Sequence, residues 1–147
     1  LHRILPTRRF LNMRKIVDSA ECTFCGLEEE TIEHMLFDCI HVSRFWKNLL
    51  TNIKSKCTHC DNLIFSRPMI IFGREANVIT DKAMDLIVLL AKYHIYISKW
   101  NNSKPELDVF LKTLKNRFMA EKFLHVMTDK LHSFNTMWSL YKQFVNQ

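Results

Sequence analysis

Apolar residues recur at three- and four-residue steps along much of this 147-residue chain, as they do in helices that bury one face. The pattern is clearest over residues 41–56, where it predicts a helix. Its apolar stripe consists of Val42, Phe45, Trp46, Leu49, Leu50 and Ile53. Such a stripe must pack against another part of the chain, and Trp46 is most simply a core residue that contacts the cysteine-containing segment before the helix.

A second, strongly apolar stretch predicts a helix over about residues 81–100, capped by Thr80 or Asp81. The inner side of this helix is expected to carry Ala83, Leu86, Ile87, Leu90, Ala91, His94 and Ile97. Because most other positions are also apolar, the helix is expected to lie at the centre of the core. Its length would allow a membrane span, but charged residues such as Lys92 and Lys99 are too frequent for hydrocarbon. No membrane partner is therefore expected.

Two shorter segments lie on either side of the first stripe. Thr7 is predicted to cap an amphipathic helix over residues 8–16. The apolar anchors of that helix are expected to be Phe10, Leu11 and Met13. Residues 63–72 contain β-branched and aromatic residues around a proline, which predicts a loop with a little extended structure.

The end of the chain is expected to be helical. Residues 101–105 predict a turn, with Ser103 near the cap of the next helix. Beyond the turn no Gly or Pro interrupts the sequence, so one long helix, or two helices broken within residues 128–135, is expected. The whole chain has only 2 Gly and 3 Pro, and 48% of its residues are hydrophobic. This composition indicates a mainly α protein with a real core.

The chemistry of the chain is concentrated in the spacing Cys-x2-Cys-x8-His-x4-Cys, formed by Cys22, Cys25, His34 and Cys39. Three thiolates and one imidazole are a typical ligand set for a tetrahedral zinc ion. The alternative is a set of buried free cysteines beside a surface histidine. With four protein ligands, one zinc ion would be structural and would not activate water.

These features together predict a small CCHC zinc knuckle attached to a helical bundle. Residues 1–60 are expected to hold a basic arm, the knuckle and the following helix, and residues 61–147 the C-terminal bundle, with one continuous domain as the alternative. Cys57, His59 and Cys60 offer a second, incomplete metal site, or else an incidental pair of thiols on a loop. Cysteines in a metal pattern indicate a reducing, intracellular location, in cytoplasm and nucleus.

The formal net charge is +6, and its two signs are segregated along the chain. Before Asp18 all the charged residues of the chain are basic, whereas residues 21–39 carry six acidic residues and no Lys or Arg. A phosphate backbone would favour the arm and avoid the acidic loop. The candidate phosphate contacts are Arg3, Arg8, Arg9, Arg14, Lys15, Arg44 and Lys47. The alternative for each basic run is a solvated surface that binds nothing.

Three stretches carry a resemblance to a known family. Residues 5–7, residues 22–39 and the pair Phe45-Trp46 are similar to the cysteine-rich C-terminal region of the reverse transcriptase protein of LINE-type, non-LTR retrotransposons. Residues 70–73, 91–96 and 105–110 more loosely resemble the tail that follows this region in vertebrate members. The metal-ligand positions of the family match Cys22, Cys25, His34 and Cys39.

The resemblance implies a non-catalytic part in target-primed reverse transcription, with the polymerase and endonuclease sites upstream. The sequence begins without methionine, so we expect a piece of a longer polypeptide. The expected function is binding of the element's RNA, and of target DNA as a further ligand, next to the reverse transcriptase core. Phe24 is a candidate for stacking on unpaired bases, or else it caps a small hydrophobic core.

Two functions remain open at this point. The chain is either a nucleic-acid-binding segment or a structural module that docks on the polymerase core or on a host protein. The acidic loop and the aromatic-rich final helix favour docking. A fragment retained by a host genome for its own use is a third hypothesis that the sequence does not separate from these two.

Overall fold

The computed structural model describes residues 5–56, 62–73, 82–139 and 142. Within these residues the chain is mainly helical, which confirms the predicted class. The elements are α1 (Arg8–Met13), a π-helical turn (His34–Asp38), α2 (Ile40–Lys56), α3 (Arg67–Phe72), α4 (Lys82–Trp100), α5 (Leu107–Met127) and α6 (Leu131–Met137). The predicted cap at Thr80 or Asp81 and the predicted site residues Arg3, Cys57, His59 and Cys60 lie outside the described residues.

Helix α1 begins where the sequence predicts and ends earlier. The Thr7 hydroxyl accepts a hydrogen bond from the Phe10 N–H at 3.3 Å, which satisfies one of the free donors of the first turn. The helix stops at Met13 because the chain reverses at Lys15, which has a φ of 56°. Met13 is 73% exposed, so its predicted role as an apolar anchor is wrong.

Helix α3 occupies a segment that we expected to be a loop, and that prediction is wrong. The Ser66 hydroxyl accepts a hydrogen bond from the Met69 N–H at 3.3 Å, and Pro68 lies in the first turn. A serine cap followed by an early proline is a strong helix-start signal, since proline has no N–H to leave unsatisfied there. Ile70 is fully buried, so the short helix is held by packing as well as by its cap.

Helix α2 buries the predicted stripe. Five of its six residues, Val42, Phe45, Trp46, Leu49 and Ile53, are buried, and Leu50 packs beside them. The indole N–H of Trp46 donates to the carbonyl oxygen of Leu36 at 2.8 Å, so this side chain fixes the helix to the π-helical turn. The Phe45 ring lies 5.6 Å from the ring of Phe110 in an edge-on contact, which joins α2 to α5.

Helix α4 is central, as predicted, but its buried surface is wider than the predicted inner face. Ile87 and Ala91 are buried as expected, and the other buried apolar residues are Met84, Val88 and Ile95. The predicted inner residues Leu86, Leu90, His94 and Ile97 are only half-buried, and the side chain of Ala83 lies outside the described residues. The difference arises because the π-helical turn, α5 and α6 all contact α4 from different sides.

The last two helices confirm the predicted break, which falls at residues 128–130. Helix α5 begins after Glu106, three residues later than the predicted cap at Ser103. Helix α6 folds back so that Phe118 meets Phe134 and Trp138, with ring centroids 5.1 and 5.4 Å away. The indole N–H of Trp138 donates to a carboxylate oxygen of Glu121 at 2.9 Å.

The buried apolar residues form one cluster that runs from Cys22 to Trp138. It includes residues on both sides of the predicted boundary at residue 60, for example Trp46 and Phe65, whose rings lie 5.3 Å apart. The division into residues 1–60 and 61–147 stays a prediction. No helix in the described ranges is both long and apolar enough to cross a membrane.

Candidate metal centre

Cys22 and Cys25 lie at the two ends of a tight turn. The Gly26 N–H donates to the Cys22 carbonyl oxygen at 2.8 Å, and Gly26 has a φ of 65°, which glycine adopts without a steric penalty. The Cys22 N–H donates to the Glu28 carbonyl oxygen at 2.8 Å, which brings the chain back alongside the first cysteine. The backbone therefore aims both sulfur atoms at one point.

His34 and Cys39 are positioned by the π-helical turn. The Thr31 hydroxyl accepts a hydrogen bond from the His34 N–H at 3.0 Å, and the Cys39 N–H donates to the His34 carbonyl oxygen at 2.9 Å. This bond spans five residues, the spacing of a π-helix, which recurs at functional sites. The wider turn of the π-helix brings the imidazole and the thiol to the same side.

The four side chains meet in one group. One ligand atom from each of Cys22, Cys25, His34 and Cys39 lies within 4.8 Å of the other three. The Cys22 and Cys39 sulfur atoms are 3.9 Å apart, and the Cys25 sulfur lies 3.4 Å from Nε2 of His34. A tetrahedral zinc ion with ordinary bond lengths would require about 3.8 Å between two sulfurs and about 3.6 Å between sulfur and nitrogen. The donor set and its spacing therefore fit one zinc ion.

The thiols of Cys22 and Cys39 are buried and interact with each other. The hydrogen bond between the two side chains, together with burial, raises the pKa of Cys22 well above its usual range, while the same hydrogen bond lowers the pKa of Cys39. Zinc takes thiolates as ligands, so its binding at this group releases protons. Cys22, Cys39 and His34 are buried, and four protein donors leave no coordination position for substrate. The centre is suited to holding structure.

Glu30 links the metal centre to the rest of the protein, and sequence reasoning missed this role. Its side chain is 0% exposed and accepts hydrogen bonds from the Arg8 N–H at 2.8 Å, the Thr23 N–H at 3.1 Å and the Thr23 hydroxyl at 2.9 Å. Its fourth partner is the ammonium group of Lys99 in α4, which also donates to the Pro6 carbonyl oxygen at 2.7 Å. Glu30 thus joins the arm, the Cys22–Cys25 turn and α4.

Burial acts to raise the pKa of Glu30, but the Lys99 ammonium and the N–H groups of Thr23 and Arg8 outweigh it, and the pKa is lowered. The carboxylate is therefore charged at neutral pH. The signal that was present in the sequence is Lys99 itself. A lysine whose side chain is buried on a central helix needs a carboxylate partner.

Among the basic residues before Asp18 that the structure describes, Arg8, Arg9 and Arg14 make contacts within the protein. The backbone N–H of Arg8 binds Glu30, and its Nε donates to the Ser19 carbonyl oxygen at 3.2 Å. Arg9 lies 3.5 Å from the Glu29 carboxylate, and the Arg14 guanidinium lies 5.4 Å from the Phe10 ring centroid. Charge reversal at Arg8 would therefore disturb the fold as well as any phosphate contact.

The remaining predicted contacts differ in their access to a ligand. Phe24 is only 6% exposed and belongs to the buried cluster, so its ring has no open face for a base, and its place in the core favours the capping role. Lys15, Arg44 and Lys47 are exposed.

Burial, together with the cationic Lys104 and Arg44 nearby, lowers the pKa of His41 at the start of α2.

Comparison with known families is decisive for the first third of the chain. Residues 1–46 match the family described as zinc-binding in reverse transcriptase. The matched region contains all four members of the metal group and ends at Trp46. The chain has a reverse-transcriptase-associated zinc-binding region. No curated protein and no solved structure matches the chain.

The matched family describes a zinc-binding region and not a catalytic one. Together with the group of Cys22, Cys25, His34 and Cys39, it identifies the cofactor as one zinc ion.

Proposed function

We propose that the chain is a non-catalytic, nucleic-acid-binding segment of the reverse transcriptase protein of a LINE-type retrotransposon. Its ligand is the element's template RNA during target-primed reverse transcription, with target DNA as a further ligand. The LINE assignment rests on the resemblance of residues 22–39 and of the stretches downstream. The match to the family described as zinc-binding in reverse transcriptase supports the assignment to a reverse transcriptase protein.

The observation that supports RNA binding most directly is the exposed basic surface of α2. Arg44 and Lys47 lie one helical turn apart, both are exposed, and neither makes an ion pair within the described residues. Side chains without an internal partner are available to phosphates, in contrast to Arg8 and Arg9 of the arm. We therefore place the main contact surface on α2.

The zinc centre has a defined part in this proposal. Cys39 directly precedes the first residue of α2, and its carbonyl oxygen accepts the Ser43 N–H at 2.7 Å. Zinc bound to the Cys39 sulfur would hold the first turn of α2 and hence the direction of Arg44. The Trp46 indole bond to the π-helical turn fixes the same helix one turn later.

The test is a binding titration of zinc-loaded chain with a short single-stranded RNA at several salt concentrations. Each phosphate contact contributes roughly 0.7 to the slope of log affinity against log salt for a single strand. The double variant Arg44→Gln plus Lys47→Gln should lower that slope by about 1.4. Its matched control is Lys112→Gln plus Lys115→Gln, which removes the same charge from exposed positions of α5.

The proposal fails if both double variants weaken RNA binding equally, since net charge alone would then explain the effect. It also fails if the zinc-loaded chain binds neither RNA nor DNA. A parallel titration with single-stranded and duplex DNA of the same sequence compares the affinities of the chain for DNA and RNA.

A second candidate function is docking on the upstream polymerase core or on a host protein, and the surface of α5 and α6 favours it. Several large apolar side chains there are exposed to solvent, at Met119, Phe123, Leu124, Val126, Met127 and Leu131. Exposed apolar surface of this kind marks interaction sites. Phe123→Ser plus Met127→Ser should abolish binding to the polymerase core under this function and leave RNA binding unchanged.

A further inference from the structure

The two ring nitrogens of His34 face different surroundings. Nε2 lies 3.4 Å from the Cys25 sulfur, on the side where the four potential ligand atoms meet. Nδ1 is buried and forms no hydrogen bond of regular geometry within the part of the chain that the structure describes. A buried ring nitrogen without a partner loses the hydrogen bond that it would make to water, so this atom needs a hydrogen-bonding partner.

The acceptor within reach is the carboxylate of Glu28. Its Oε2 lies 3.2 Å from Nδ1 of His34, although the angle is not that of a regular hydrogen bond. The Glu28 side chain is 72% exposed, so a small rotation would align it without a packing cost. Its backbone carbonyl is already held by the Cys22 N–H, so the residue is anchored to the turn that carries the first ligand.

We propose that Glu28 is a positioning residue of the zinc centre. Its carboxylate accepts a hydrogen bond from the Nδ1–H of His34 and selects the neutral tautomer whose Nε2 lone pair faces the zinc position. A carboxylate that accepts from the non-ligating N–H of a metal-bound histidine orients the ring and strengthens its metal bond. Glu28 is not part of the Cys-x2-Cys-x8-His-x4-Cys motif, and in the sequence it is one of several acidic residues in the same loop.

The first test compares zinc affinities of the intact chain by competition with a chelator. Glu28→Ala should weaken zinc binding about 10- to 100-fold, the usual effect of removing such a partner. Glu28→Gln retains an accepting oxygen and should restore most of that loss. Glu29→Ala is the matched control, because it removes the neighbouring exposed carboxylate, which pairs with Arg9, and should leave the affinity unchanged.

The second test observes the ring directly, and its first measurement requires only the wild-type chain. Nitrogen NMR of the zinc-loaded wild-type chain should show a protonated Nδ1 and a metal-bound Nε2 at His34. In Glu28→Ala the Nδ1 proton should exchange with water faster. A metal-bound Nδ1 in the wild type, a Glu28→Ala affinity equal to that of the wild type, or no restoration by Glu28→Gln would each overturn the proposal.

Discussion

Replacement of Lys99 by methionine should destabilise the protein more than any other single charge removal among its described ion pairs. Methionine matches the length of the lysine stem and fills its space, so the change removes the charge with little loss of packing. It leaves the fully buried Glu30 carboxylate with three neutral donors, from Arg8 and Thr23, and no countercharge. It also leaves the Pro6 carbonyl oxygen without the ammonium donor.

Breaking a buried ion pair by removing one partner costs about 3–5 kcal/mol. For a chain of this length a loss of that size lowers the melting temperature by roughly 2–4 °C per kcal/mol, or on the order of 10 °C in total. The matched control is Arg67→Met. That arginine pairs with Asp38 at 2.7 Å, but both side chains are exposed, so its loss should cost at most about 1 kcal/mol.

The assay is urea unfolding at saturating zinc, with the zinc content of each variant measured on the same samples. The double variant Glu30→Gln plus Lys99→Met should be more stable than Lys99→Met alone, because no buried charge then lacks a partner. A coupling energy of about 2 kcal/mol is expected from the cycle of single and double variants. Equal costs for Lys99→Met and Arg67→Met, both near 1 kcal/mol, would refute the reasoning.

Three further outcomes follow from the described contacts. Cys39→Ser should reduce the zinc content from one ion per chain to none and lower the free energy of unfolding by several kcal/mol, as measured by metal analysis and urea unfolding. Ser66→Ala should cost about 1 kcal/mol of unfolding free energy, since it removes the cap of α3, whereas Ser103→Ala, at the wrongly predicted cap, should cost less. The pKa of Glu30 is lowered in the folded protein from an ordinary value of 4.5, so its contribution to stability is present above that pH and is lost as the pH falls through the folded pKa. The difference in unfolding free energy between the wild type and Glu30→Gln should therefore shrink as the pH falls below about 4.5, and a constant difference would contradict this assignment.

Local patterns explain what could be predicted from the sequence. The apolar residues of the α2 stripe recur every three or four positions, and the metal ligands Cys22 and Cys25 are three positions apart. Both features are therefore visible without knowledge of the tertiary fold. The error over residues 63–72 was also local. The Ser66 cap and Pro68 indicate a helix start, whereas the neighbouring β-branched and aromatic residues favour extended structure.

What could not be predicted depends on contacts between distant residues. Glu30 lies in a run of three glutamates, and only its position opposite Lys99, 69 residues later, distinguishes it from its exposed neighbours. The turn that carries Cys22 and Cys25 places the Phe24 side chain in the core. No local pattern of two or three residues predicts the direction of that side chain. The same limit applies to α4, whose buried surface depends on three partner elements.

The three consecutive glutamates show how position divides one residue type among different roles. The Glu29 carboxylate lies at the surface beside Arg9, the Glu28 carboxylate lies beside the His34 ring, and the Glu30 carboxylate is buried against Lys99. A uniform acidic loop would repel phosphate and do little else. Here the isolated antiparallel bridge between Glu21 and Glu29 fixes the backbone in the middle of the run. The acidic loop therefore contacts the metal centre through Glu28 and α4 through Glu30.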